Sequence, residues 1–249
     1  MWRAIGASVP GTSHTSAGRG CDDSSGWLHG AGTVCLIAAD GAGSRPLSAY
    51  GSRIAVDTVL EFGAALRDGE ATMDDPGAWL TDVFTEVHRR IETVANGSDH
   101  DPYDYATTLA VAVLAGEVLA IGQVGDTIAV VGGPGGYRTV GPAEQHEYAN
   151  ETEFVTREDF AAHLRLDTVE AEGIDEIFLS TDGLRYKILD DLRESVPYEP
   201  FFADLAAYAR SAGATPDAVA RFLEAVDDQT GDDLTVVAAV RMQEPAAGS

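Results

Sequence analysis

Strand-like apolar runs come in groups in this sequence, and amphipathic helical stretches come in pairs between them. That order limits the fold more than any other feature. Residues 2–9 and 33–39 (TVCLIAA) read as strands. The period then changes: over 50–66, Ile54, Val56, Val59, Leu60 and Phe62 fall near one helical stripe. Over 77–94, Leu80, Val83, Phe84, Val87 and Ile91 are spaced by three and four, behind a helix start at Asp74-Asp75-Pro76. β-rich runs return at 107–114, 118–124 and 127–131, split by Gly116-Glu117 and Gly125-Asp126, as in an antiparallel meander. A glycine-rich turn at 132–136 precedes a strand at 137–140, and it lacks the Gly-Lys-Ser/Thr ending of a phosphate-binding loop. A buried strand at 176–180, helices at 199–212 and 217–225 (the second opened by Thr215-Pro216) and a last strand at 234–240 complete the order. Few strands lead into a single crossover helix, so a doubly wound parallel sheet fits poorly. The expected fold is α+β: a four-layer α/β/β/α sandwich, two antiparallel β-sheets flanked by helices.

No internal repeat or long linker divides the 249 residues, so 1–242 is expected to be one domain with a flexible tail at 243–249. Residues 141–165 are polar and irregular, the composition of a loop or flap. A hydrophobic share of 45% is enough for a sizeable core. Forty-one acidic against 16 basic residues give a formal net charge of -25. Such a chain repels a phosphate backbone, which argues against nucleic-acid binding, and it is equally ill-suited to an anionic membrane surface. No apolar run approaches the ~20 residues needed to span a bilayer. The first residues have no basic stretch followed by an apolar one, so the expectation is a cytoplasmic, monomeric protein without a signal peptide. Cys21 and Cys35 suggest neither a disulfide scaffold nor a zinc ribbon, and the six histidines show no zinc-ligand spacing.

The chemistry is expected where strands end. Asp40, Asp126 and Asp182 each follow an apolar strand and flank a glycine, and Asp232 directly follows one. Aspartates at strand ends commonly do no more than start turns. Brought to one edge of a sandwich, however, they form an all-oxygen ligand set suited to Mg2+ or Mn2+. Without a cation such a set is costly, because like charges at close range raise one another's pKa.

In chain order these segments resemble the metal-dependent Ser/Thr protein phosphatases of the type 2C family. Gly11-Thr12-Ser13-His14 with Cys21-Asp22-Asp23 resembles the family's N-terminal acidic motif, and Asp40-Gly41-Ala42-Gly43 its Asp-Gly-x-Gly element. Ala106-Thr107-Thr108 is similar to its Gly-Thr-Thr strand, and Gly125-Asp126-Thr127 to its Gly-Asp-Ser turn. Ser180-Thr181-Asp182-Gly183 resembles the Ser-Asp-Gly segment, and Asp232-Asp233-Leu234-Thr235 the closing Asp-Asn-x-Thr strand. Each motif alone is weak; six in order are specific.

The resemblance implies two Mn2+ or Mg2+ ions. Asp40 would bridge them with the Gly41 carbonyl as a further ligand, Asp182 and Asp232 would complete one, and Asp22 or Asp23 would hold the other. A metal-bridging water would attack phosphorus in line with the serine or threonine oxygen, with no phosphoenzyme. Arg19 lies beside the position from which relatives clamp the substrate phosphate, and His14 is a candidate proton donor to the leaving group. Tyr186 stands where many bacterial relatives carry a second acid, which leaves a third metal at Asp126 open. The implied partner is a phosphorylated protein, from a signalling system with an opposing Ser/Thr kinase or its targets. A pseudophosphatase used as a binding module and a hydrolase of small phosphate esters are the alternatives.

Overall fold

A computed structural model describes residues 1–141 and 152–242. Strands and helices are numbered here in chain order. One antiparallel sheet runs β1 (Trp2–Val9), β12 (Leu234–Arg241), β9 (Glu176–Ser180), β6 (Ile128–Gly133), β7 (Gly136–Val140). The other runs β2 (Ser24–Gly30), β3 (Thr33–Ala39), β4 (Leu109–Ala115), β5 (Val118–Val124), β8 (Arg165–Glu170). Every pairing within both sheets is antiparallel. The last long strand lies beside the first, Trp2 opposite Arg241 through Val9 opposite Leu234.

The central strands show why their sequences are apolar without interruption. Successive side chains on a strand point to opposite faces. On β3, Cys35, Ile37 and Ala39 enter the core beneath the helices α2 (Ser48–Arg67) and α3 (Pro76–Gly97), while Val34, Leu36 and Ala38 enter the core between the sheets. β12 divides likewise. Val237 and Ala239 face the opposite sheet, and Leu234, Val236, Ala238 and Val240 pack under α6 (Glu199–Arg210) and α7 (Pro216–Ala225). Three apolar layers thus separate helices, sheet, sheet and helices, as the element order predicts. The helix starts follow their sequence signals. Asp75 caps α3 by accepting from the Ala78 N–H ahead of Pro76, and Thr215 caps α7 by accepting from Ala218.

Two edge strands escape the sequence pattern. β2 (SSGWLHG) is rich in serine and glycine, and β8 (RLDTVE) alternates half-buried with exposed residues along its length. Edge strands need only one buried face, so their hydrophobic signal is weak. Of the polar stretch 141–165, residues 142–151 lie outside the described residues, as do 243–249. The rest is tied to the body. Val155 is fully buried with its N–H on the Thr107 carbonyl, and the ring of His88 stacks on Phe160 in the short helix α4 (Phe160–His163). Among the described residues no helix is long and apolar enough to cross a membrane.

Candidate active site

Strand ends from both sheets meet at one edge of the sandwich. Asp40 follows β3, Asp126 sits in the turn between β5 and β6, Asp182 follows β9, Asp232 and Asp233 precede β12, and Asp22 and Asp23 precede β2. Two glycines make the approach possible. A Cβ on Gly41 would lie 2.4 Å from the Asp22 carbonyl oxygen. Gly125 turns the chain at φ +105, and a Cβ there would strike the Thr108 side chain at 2.5 Å. Asp40 is fixed through its backbone: its N–H donates to the Thr108 hydroxyl, and its carbonyl accepts from the Thr108 N–H and the Thr107 hydroxyl.

Four of these carboxyls resist ionising, and the causes show how close they are. Burial pushes Asp40 well above the usual carboxylate range, and the charges of Asp23, Asp182, Asp232 and Asp126 push it further. Asp182 is raised to about 6 by burial and then by Asp126 and Asp232, against the opposing pull of Arg185. Burial is also the main cause that raises Asp23 and Asp232. Asp23 rises even though it accepts from the hydroxyls of Thr235 (2.7 Å) and Thr181 (2.9 Å). Asp182 Oδ1 is buried and has no hydrogen-bond partner. Protein side chains alone therefore leave this pool of negative charge uncompensated, which is the condition a divalent cation corrects.

The pool is not a closed cage. Among the described residues, no three His, Cys, Asp or Glu side chains stand together as a ready metal-ligating group.

Beside the pool lies a second arrangement, built on Asp233. Its Oδ1 accepts from the Gly11 N–H (2.8 Å) and meets His14 Nδ1 (2.8 Å), and its Oδ2 accepts from the N–H groups of Asp22 (2.5 Å) and Asp23 (3.3 Å). In the sequence Asp233 stands out only as the motif neighbour of Asp232. Its position directly before an apolar strand gives no sign that one buried carboxylate binds the whole N-terminal segment. Asp228 does similar work from the loop before β12. Burial acts to raise it, but hydrogen bonds from the Thr12 hydroxyl and N–H and from the Gly231 and Thr230 N–H groups prevail and hold it at about 2.

The remaining predicted residues fall around this latch. Arg19 reaches from α1 (Thr12–Ser16) and its following loop to donate to the Gly43 carbonyl (2.8 Å) and to Asp22 Oδ2 (2.5 Å). The same Asp22 oxygen accepts from the Ser48 hydroxyl at 3.2 Å. Asp22 is thus committed to Arg19 and Ser48, whereas Asp23 faces Asp40. His14 is buried, with Nε2 3.8 Å from Asp22 Oδ2. Cys35 is fully buried and its thiol is pushed up to about 12, and Cys21 is also raised, chiefly by burial. Neither thiol forms a reactive thiolate near neutral pH. Tyr186 points outward, half-exposed. Arg185, which no motif singled out, is the cation that acts on Asp182.

The sequence and the fold both match known proteins. Residues 10–224 match the family described as Protein phosphatase 2C. The chain is 31% identical to Serine/threonine-protein phosphatase 3 of Escherichia coli (strain K12), over 96% of this chain and 98% of that protein. Among solved structures, a bacterial serine phosphatase superposes with a TM-score of 0.68 at 17% identity, covering 99% of this chain and 100% of the other. Serine/threonine phosphatase Stp1 from Staphylococcus aureus gives 0.66 at 17% identity, over 98% and 96%. The catalytic domain of the serine threonine protein phosphatase PstP, in complex with two manganese ions, gives 0.66 at 20% identity, over 97% and 99%. With strand-end aspartates pooled at one sandwich edge and a family match across most of its length, the chain belongs to the protein phosphatase 2C family.

Proposed function

We propose that the chain hydrolyses phosphoserine and phosphothreonine in proteins, with Mn2+ or Mg2+ as cofactor. The observation that carries this reading is the set of raised carboxyls at Asp23, Asp40, Asp182 and Asp232, with Asp182 Oδ1 buried and unpartnered. Asp40, the Gly41 carbonyl, Asp182, Asp232 and Asp23 are the groups that would hold two ions. When bound, such ions lower the pKa of a water and neutralise charge on the phosphoryl oxygens.

The residues of the chain divide the remaining work. Asp22, itself held by Ser48, orients Arg19, whose partly exposed guanidinium would bind the phosphate of the substrate. Asp233 fixes His14 through Nδ1 and leaves Nε2 towards Asp22 and the Gly43 backbone, the place for a proton donor to the leaving oxygen. Asp126 shapes the electrostatics of Asp182, and two ions suffice in this assignment.

We also take residues 1–242 as one phosphatase domain, which the pairing of β12 between β1 and β9 supports. A cytoplasmic monomer acting opposite a Ser/Thr kinase completes the reading. The free thiols of Cys21 and Cys35 fit a reducing compartment, and a charge of -25 keeps copies apart. The test is hydrolysis of a phosphothreonine peptide with and without Mn2+, for the wild type and Asp40→Asn. Metal-dependent turnover that falls at least a thousandfold in the variant, about 4 kcal/mol of barrier, is expected. A folded wild type with no turnover in either condition would replace this reading with that of a binding module.

A further inference from the structure

Asp22 and Asp23 are neighbours in sequence and both are buried, yet different chemistry holds them. Asp22 gives its Oδ2 to a cation, the Arg19 guanidinium, at 2.5 Å. Asp23 meets two neutral hydroxyls, Thr181 at 2.9 Å and Thr235 at 2.7 Å. Both hydroxyls donate to the same oxygen, Oδ2, and among the described residues no hydrogen bond reaches Oδ1. Asp233, by contrast, takes partners on both of its oxygens. A guanidinium fixes a carboxylate and neutralises it, whereas a hydroxyl fixes it and leaves its charge in place. Asp23 is therefore anchored through one oxygen and keeps the other, with its charge, for a further partner.

The two hydroxyls come from the opposite sheet. Asp23 precedes β2, whereas Thr181 follows β9 and Thr235 lies in β12, where the Thr181 N–H donates to the Thr235 carbonyl at 3.2 Å. Ser8 of β1 braces the arrangement from the other side. Its Oγ lies 2.8 Å from the Thr235 hydroxyl, and it donates to Ser25 Oγ of β2 at 2.9 Å. The backbone of Asp23 is held separately, through its N–H on Asp233 Oδ2 at 3.3 Å. Asp40 follows a strand of Asp23's own sheet, while Asp182 and Asp232 adjoin strands of the other. These hydroxyls thus set where an acid of one sheet stands relative to the acids of the other. Carboxylates that bind metals are commonly oriented by such hydrogen bonds.

We infer that Thr181 and Thr235 are positioning residues for the metal centre: their hydroxyls hold Asp23 by Oδ2 and keep Oδ1 for a divalent cation. The inference rests on the reading of Asp23 as a metal-holding group. It adds the residues that prepare that group from across the sandwich before a cation arrives.

The test is calorimetric titration of the metal-free full chain with Mn2+, with the metal-free melting temperature measured alongside. Thr235→Val keeps the shape of the side chain and removes the hydroxyl. Thr181→Val does the same at the other contact, so the test survives if one variant does not fold. Each is expected to weaken Mn2+ binding by about tenfold or more, the loss usual when the hydrogen-bond partner of a metal ligand is removed. Thr235→Ser and Thr181→Ser, which keep the hydroxyl, should restore most of that affinity. In an Asp23→Asn background Thr235→Val should cost no further Mn2+ affinity, because it acts through that carboxylate. Valine variants that melt lower but bind Mn2+ as the wild type does would leave the hydroxyls a purely structural role and overturn the inference. So would serine variants as weak as the valine ones, or an undiminished loss in the Asp23→Asn background. These outcomes leave the metal centre itself standing. A folded wild type that binds no Mn2+ would instead overturn the metal reading, and the positioning role would fall with it.

Discussion

Asp232 and Asp233 are adjacent in sequence and at the same edge of the sandwich, yet their surroundings are opposite. Asp233 is 2% exposed and its two oxygens meet three backbone N–H groups and a histidine nitrogen. Asp232 is half-buried in the pool and raised by burial and by Asp233 itself. One carboxylate has its charge answered within the protein and holds the N-terminal segment in place. The other has it answered only in part, as do Asp40 and Asp182. A buried carboxylate surrounded by donors is a structural element; buried carboxylates that face one another are a site prepared for something positive.

The sharpest way to break that comparison is to truncate each member in turn. Asp233→Ala strands at least three backbone donors and should cost about 3 kcal/mol of stability, read as a lower melting temperature with or without metal. Asp232→Ala should leave the metal-free melting temperature equal or higher, because it removes repulsion, while the stabilisation by Mn2+ and the turnover collapse. Equal losses of metal-free stability in both would dissolve the distinction.

The next effect is one of pH. Asp182 is raised to about 6 from an ordinary 3.8, so the folded state holds its proton more tightly than the unfolded state does. Its contribution therefore favours folding below about pH 4 and is lost as pH rises towards about 6 in the metal-free protein. Ligands must deprotonate to bind metal, so stabilisation by a fixed Mn2+ concentration should be small at pH 5 and substantially larger at pH 7.5. A shift in melting temperature that is the same at both pH values would count against the carboxylate pool as the binding site. The smallest effect belongs outside both regions. Asp75→Ala, which removes the cap of α3, should cost about 1 kcal/mol and leave kcat/KM unchanged.

Much of the fold was legible because its signals are local. Uninterrupted apolar runs such as 33–39 and 234–240 announced strands buried on both faces, and the spacing in 77–94 announced a helix with one buried stripe. β2 and β8 were not legible, since Ser24–Gly30 and Arg165–Glu170 bury one face or less and carry little hydrophobic pattern. The site was legible in its acids, through Asp-Gly pairs at strand ends. It was not legible in the groups that govern those acids. Thr181 and Thr235 on Asp23 and Ser48 on Asp22 follow no spacing rule, because each pair is joined only in the folded sandwich, and Arg185, though three residues from Asp182, belongs to no motif.

What the sequence determined by itself was which residues would be inside and which strand ends would carry acid. Hydrophobic burial and turn chemistry depend on residue type and near neighbours, and both can be read along the chain. What the tertiary structure decided was which acid would be satisfied and which left charged in company. That depends on the few ångströms between groups more than 200 residues apart, such as Gly11 and Asp233, a separation closed by the pairing of the first strand with the last. The pKa of a carboxyl is a property of that surrounding space rather than of the residue, so the division between the satisfied Asp233 and the uncompensated carboxyls appears only once the sandwich is folded.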